Sequence, residues 1–158
     1  MVEDSRLDAE LILAALADDH LADEVVVVRD GAEALDYLYR RGPSGPRAGK
    51  NPAMVLLDIK LPGIDGLEVL RRIKSDPALR SIPVVMLTSS REDHDLARSY
   101  VLGANAYVVK PVDFREFVEA VKQVGLFWGV INQPPPRSVT QSGLPTDVRR
   151  RRLTRPII

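Results

Sequence analysis

The strongest constraint on this chain is a repeated change in the period of its apolar residues. Four short runs lie within Glu24–Arg29 (Val25-Val26-Val27-Val28), Ala53–Leu57, Pro83–Leu87 and Ala106–Val109, and they are almost wholly apolar, valine-rich and bounded by Pro, Asn or Gly. Runs of this length and composition read as strands buried on both faces, the signature of a parallel sheet. Between them, apolar residues return at helical spacing. Ser5 with Asp8 gives a capping-box-like start, followed by Leu7, Leu11, Ala14 and Ala15. Asp30 caps a helix running to about Arg41, Asp65 one over Gly66–Ser75, Ser90 one that stops at Gly103, and Asp113 one that reaches about Trp128. Alternating strand and helix predict an α/β fold, a doubly wound parallel sheet with helices on both faces and right-handed crossovers.

That alternation also requires a strand before the first helix, yet only Met1 and Val2 precede the polar Glu3-Asp4. Met1-Val2 therefore reads as the end of a truncated first strand, and a short, poorly anchored central strand is expected. The segment GPSGPRAGKNP, Gly42 to Pro52, holds three prolines and three glycines and reads as a loop. A length of 158 residues suits one domain with a full core. The domain is assigned to residues 1–131, and the Pro- and Arg-rich stretch 132–158 is predicted to be a disordered tail.

Composition removes several functional classes. There are no cysteines, so thiol catalysis, disulfides and Cys-rich zinc sites are excluded, and the two histidines, His20 and His94, read as solvent-facing. Zero net charge hides an acidic body and a tail with six arginines against Asp147 alone. Such a body is not expected to bind nucleic acid, and Arg149–Arg152 are only a weak electrostatic hint. No apolar run approaches the ~20 residues of a membrane span, and no secretory signal opens the chain. A reducing, cytoplasmic setting without membrane contact is the expectation.

The chemistry lies at the ends of the apolar runs. Met1-Val2 ends in Glu3-Asp4, Met54–Leu57 in Asp58, Val84–Leu87 in Thr88, and Tyr107–Val109 in Lys110. Open α/β sheets bind ligands just beyond the carboxyl ends of their strands, so these groups converge on one crevice. Clustered carboxylates raise one another's pKa and ask for a cation. Mg2+, a hard ion that accepts a few oxygen ligands and keeps room for water and phosphate, suits them. Lys110 and Thr88 are donors of the kind that hold phosphoryl oxygens, and Asp58 is then the nucleophile of phosphoryl transfer onto an aspartate.

The strings MVEDS, MVLLDIKLPGIDG, IPVVMLTSS and GANAYVVKP together resemble the receiver domain of bacterial two-component response regulators. Within that family, DYLYRRGP, the Gly42–Pro52 loop and the Phe127-Trp128 plus Pro-rich ending are most similar to stand-alone regulators that partner bacterial phytochromes. The resemblance implies a flavodoxin-like sheet of five strands, in the order 2-1-3-4-5, with five helices. It implies Asp58 as phosphoacceptor and Glu3 and Asp4 as the acidic pair for Mg2+, Asp4 being the more direct ligand, with the Lys60 backbone carbonyl beside them. Thr88 and Lys110 contact the phosphoryl group, Thr88 moves on activation, Tyr107 is the rotameric switch, and Lys110-Pro111 is a cis peptide. Such a protein takes its phosphoryl group from a sensor histidine kinase and is no enzyme beyond its own phosphorylation and dephosphorylation. Its output face, on the fourth helix, fifth strand and fifth helix, would carry Arg98, Tyr100, Arg115, Phe117 and Phe127-Trp128, and a homodimer through it is expected.

Each residue also has a plainer reading. An aspartate or threonine after a strand caps the next helix, Glu3-Asp4 favour a helix N-terminus, Lys110 is a surface lysine, and Tyr107 is core. Two other functions compete. One is a non-phosphorylated pseudo-receiver serving as an interaction module. The other is an aspartate-nucleophile phosphatase of the haloacid dehalogenase type, against which stands Lys60 where those enzymes place their second aspartate.

Overall fold

The computed structural model of the chain describes residues 1–17, 25–39, 51–89, 93–110 and 113–133. In chain order these form α1 (Arg6–Ala17), α2 (Gly31–Tyr39), β1 (Val55–Asp58), α3 (Gly66–Ser75), β2 (Val84–Thr88), α4 (Asp93–Val101), β3 (Ala106–Val109) and α5 (Phe114–Leu126), which continues into a π-helical turn over Phe127–Ile131. The structures expected at His20, Ser90 and Pro111, most of the Gly42–Pro52 loop, and the tail beyond Gln133 lie outside the described residues.

β1, β2 and β3 pair in parallel, in that order, with Leu56 opposite Val85 and Leu87 opposite Val108. On the far side of β1, Val2 bridges both Leu57 and Val28 in parallel. The sheet therefore runs from the Val28 segment through Met1–Glu3 to β1, β2 and β3, which is the 2-1-3-4-5 order. Its first two positions are single bridges and not full strands. The poor anchoring expected of Met1-Val2 is not observed. Val2 N–H donates to Leu56 O at 2.8 Å, Val28 N–H to Met1 O at 2.9 Å, and the Met1 ammonium to Val26 O at 2.6 Å.

Alternate residues of the strands feed two cores, one on each face. Val55, Leu57, Val84 and Met86 pack with Leu35, Leu38, Leu70 and Ile73 of α2 and α3. Met54, Leu56, Val85 and Leu87 pack with Ile12 and Leu16 of α1 and Phe117 and Val121 of α5. Each fully buried side chain of this size contributes about 1.5–3 kcal/mol. β1 and β2 are buried along their whole length, whereas β3 and Val25–Val27 are only half-buried. The wholly buried strands expected there are corrected by strand order, since both segments lie at the margins of the sheet.

Two further expectations change. The buried face of α1 is Ala9, Ile12, Ala15 and Leu16, while Leu7, expected in the apolar stripe, is exposed. Phe117, expected on the output face, is 6% exposed and belongs to the core under α5. Its 3.6-residue spacing with Val121 and Val124 turns it inward. The caps follow the sequence more closely. Asp30 accepts from Glu33 N–H at 2.8 Å, Asp65 from Glu68 N–H at 2.7 Å, and Asp113 from Arg115 N–H at 2.7 Å. After α4, Gly103 adopts φ +95°, with Ala104 N–H donating to Ser99 O and Gly103 N–H to Tyr100 O, a Schellman termination that favours glycine.

Candidate functional site

Parallel pairing delivers the predicted residues to one edge. Asp58 is the last residue of β1, Thr88 the last of β2, and Lys110 follows the last residue of β3. Asp58 N–H donates to Val2 O at 3.1 Å, Glu3 N–H to Val28 O at 3.0 Å, and Lys110 N–H to Thr88 O at 2.6 Å, so the backbone ladder sets each side chain's origin. α3 closes in from the front. Gly66 N–H donates to Ile59 O at 2.9 Å, and a Cβ on Gly66 would lie 2.0 Å from the carbonyl oxygen of Asp58, so only glycine fits this approach.

At the centre stands the Lys110 ammonium. Its Nζ donates to Glu3 Oε2 at 2.7 Å, Asp8 Oδ2 at 2.8 Å and Asp58 Oδ2 at 2.8 Å, which uses its three N–H groups. Glu3, Asp58 and Thr88 are buried. Burial pulls the Lys110 ammonium down, but its hydrogen bonds to Asp58, Asp8 and Glu3 prevail and hold its pKa above the ordinary lysine value. Burial pushes the Glu3 carboxyl up to about 6, against the opposing pull of Lys110 and with a further push from the Asp58 charge.

Glu3, Asp4 and Asp58 each place one carboxylate oxygen so that all lie within 4.8 Å of one another, Asp4 on the exposed side. An all-oxygen donor set open to solvent on one side fits a hard divalent cation such as Mg2+. Asp58 Oδ1 accepts from the Lys60 N–H at 3.1 Å, while the Lys60 side chain is exposed beside it. Tyr107, opposite Met86 across the β2–β3 pair, is half-buried against the α2–α3 core.

Asp8 is the site residue that sequence reasoning missed. Its spacing from Ser5 predicts a capping box, but the reciprocal arm of that box is absent. Asp8 N–H donates to Ser5 Oγ at 3.2 Å, whereas Ser5 N–H donates to Glu3 Oε1 at 3.2 Å, leaving the Asp8 carboxylate for Lys110. The available signal was its place in the first turn of a helix that begins directly after Glu3-Asp4. The face expected for output is partly exposed. Tyr100 is 50% and Phe127 47% exposed, and Arg98 and Arg115 are on the surface. Trp128 is half-buried against the α1–α5 core and meets Phe127 edge-to-face at a centroid distance of 5.0 Å.

A doubly wound sheet that gathers acids and a lysine at the carboxyl edge of its strands defines an α/β receiver. The chain belongs to the response regulator receiver domain family, whose model matches residues 1–122. Such response regulators are signalling proteins that partner with sensor histidine kinases. The bacteriophytochrome response regulator RtBRR is 58% identical, with 85% of this chain and 81% of that chain covered and a TM-score of 0.67. The phosphorylated cyanobacterial phytochrome response regulator RcpA is 41% identical, covering 85% and 95%, at a TM-score of 0.78. The Mn2+-bound form of response regulator Rcp1, a protein of Synechocystis sp., is 35% identical, covering 85% and 96%, at a TM-score of 0.77. No helix among the described residues is long and apolar enough to cross a membrane.

Proposed function

We propose that this protein is a phosphoacceptor response regulator, taking a phosphoryl group from a sensor histidine kinase onto Asp58 and converting it into a change at a protein-interaction face. The observation that carries this reading is the Lys110 ammonium 2.8 Å from Asp58 Oδ2, beside the Glu3-Asp4-Asp58 oxygens. In the transfer, an Asp58 carboxylate oxygen bonds to phosphorus as the bond from phosphorus to the kinase histidine nitrogen breaks. The histidine keeps the electron pair of that bond and is protonated from solvent. Negative charge spreads over the phosphoryl oxygens, where Lys110 and Thr88 donate hydrogen bonds, and water is kept to the Asp4 side by the buried floor of Glu3 and Thr88. Glu3, Asp4, Asp58 and the Lys60 carbonyl would hold Mg2+, which would supply positive charge to offset that of the carboxylates and the incoming phosphoryl group.

Thr88 and Tyr107 then carry the change along β2 and β3 toward α4. The Lys60 side chain, exposed next to Asp58, sets the lifetime of the phosphoaspartate, so Lys60→Ala changes the dephosphorylation rate. The resemblance to RtBRR and RcpA favours a bacterial phytochrome as the kinase and a cytoplasmic setting, with residues 1–131 as the receiver and 132–158 as a tail. Exposed Tyr100 and Phe127 favour a homodimer through α4, β3 and α5.

The test is acetyl phosphate with Mg2+. Intact mass spectrometry is expected to find one added phosphoryl group, localised to Asp58 and lost in Asp58→Asn or on chelation of the metal. No modification would indicate a pseudo-receiver, and sustained release of free phosphate from small phosphoesters would indicate a phosphatase.

A further inference from the structure

Asp8 joins the Lys110 cluster from a different element than the other carboxylates, the first turn of α1. Its bond to Lys110 is as short as that of Asp58, 2.8 Å, yet it does not belong to the Glu3-Asp4-Asp58 oxygen group. Two of the three acceptors of Lys110, Glu3 and Asp58, are shared with that group. An ammonium and a divalent cation therefore draw on the same two carboxylates and repel each other at close range. Asp8 is the acceptor of Lys110 that makes no such double claim.

We propose that Asp8 is a positioning residue that holds the Lys110 ammonium on the α1 side while Glu3 and Asp58 turn to a divalent cation, and thereby strengthens cation binding. The inference rests on the reading of the acidic group as a Mg2+ site. Two effects act in the same direction. The Asp8 charge adds attraction for the cation, and its fixed carboxylate spares Lys110 from being left without a partner when the shared acids are withdrawn. Helix α1 keeps that carboxylate in place, since Asp8 N–H is itself bonded to Ser5 Oγ. The lysine has a long flexible stem that needs such a post.

The experiment is Mg2+ titration by calorimetry, with free Mn2+ followed by electron paramagnetic resonance as a second probe. It uses the full chain as wild type, Asp8→Asn, Asp8→Glu, Lys110→Met and the double variant Asp8→Asn/Lys110→Met, each first shown to be folded by circular dichroism. Asp8→Asn is expected to weaken Mg2+ binding about fivefold, and by less than about twofold when Lys110 is already Met, because the effect is routed through the ammonium. Asp8→Glu, which keeps charge and reach, is expected to stay within about twofold of wild type. In addition, selectively labelled Lys110 side-chain resonances should shift less on Mg2+ addition in wild type than in Asp8→Asn. Equal losses in both Lys110 backgrounds, or equal resonance shifts, would make Asp8 a mere through-space charge and overturn the positioning role. Wild-type binding with an unaffected Asp8→Asn overturns this inference alone, whereas a wild type that binds no Mg2+ overturns it together with the proposed function.

Discussion

Lys110 Nζ donates to Asp58 Oδ2 at 2.8 Å although 52 residues separate them, and the same nitrogen holds Glu3 at 2.7 Å. Lysine here is the counter-charge that lets two buried carboxylates share one edge of the sheet. Removing it leaves them adjacent and uncompensated. Lys110→Met is expected to lower stability by about 3 kcal/mol in urea melts with chelator present. Added Mg2+ should recover part of that loss, since a divalent cation can replace the missing charge. A melt unchanged by the substitution would deny Lys110 this role.

Gly66 touches the backbone that carries Asp58. Gly66→Ala would set a Cβ 2.0 Å from the Asp58 carbonyl oxygen, a contact that only displacement of α3 or of β1 relieves. The expected cost is about 2 kcal/mol or more in thermal melts, together with slower phosphorylation by acetyl phosphate.

The buried Glu3 carboxyl gives the metal-free protein a pH signature. Burial, partly opposed by Lys110, raises its folded pKa to about 6 from 4.5, so the native state binds this proton more readily than the unfolded chain. The burden of ionising Glu3 is absent below pH 4.5 and complete above about 6, and its contribution to stability falls as pH rises through that window. Denaturant melts in chelator should show a decline of about 2 kcal/mol across it, absent in Glu3→Gln. Lys110 acts with the same sign in a far more alkaline window. Its raised pKa contributes stability that is present at neutral pH and is lost only as pH climbs through the folded value in strong alkali.

Phe117 and Phe127 separate folding from association. Phe117 lies in the α1–α5 core and Phe127 is 47% exposed. Phe117→Ala is expected to cost about 3 kcal/mol of stability. Phe127→Ala should leave the melting curve within about 0.5 kcal/mol of wild type while reducing any dimer seen by sedimentation of the phosphorylated protein.

What the sequence determined by itself was the meeting of Glu3, Asp4, Asp58 and Lys110. Short buried runs alternating with helices admit only parallel strands, and parallel strands send all their carboxyl ends to one edge, so residues at the run ends converge without any knowledge of packing. The caps at Asp30, Asp65 and Asp113 were equally legible, because each depends on amides two or three residues away. Tertiary structure decided the rest. The stripe through Leu7 and Leu11 and the one through Ala9, Ile12 and Leu16 share a helical period, and contact with the sheet and α5 chose the second. The partial burial of Val25–Val27 follows from their place at the sheet margin, which no local pattern encodes. Asp8 could have served its own helix terminus. An ammonium 102 residues away took its carboxylate instead, and charge pairing over that separation exists only once the chain is folded.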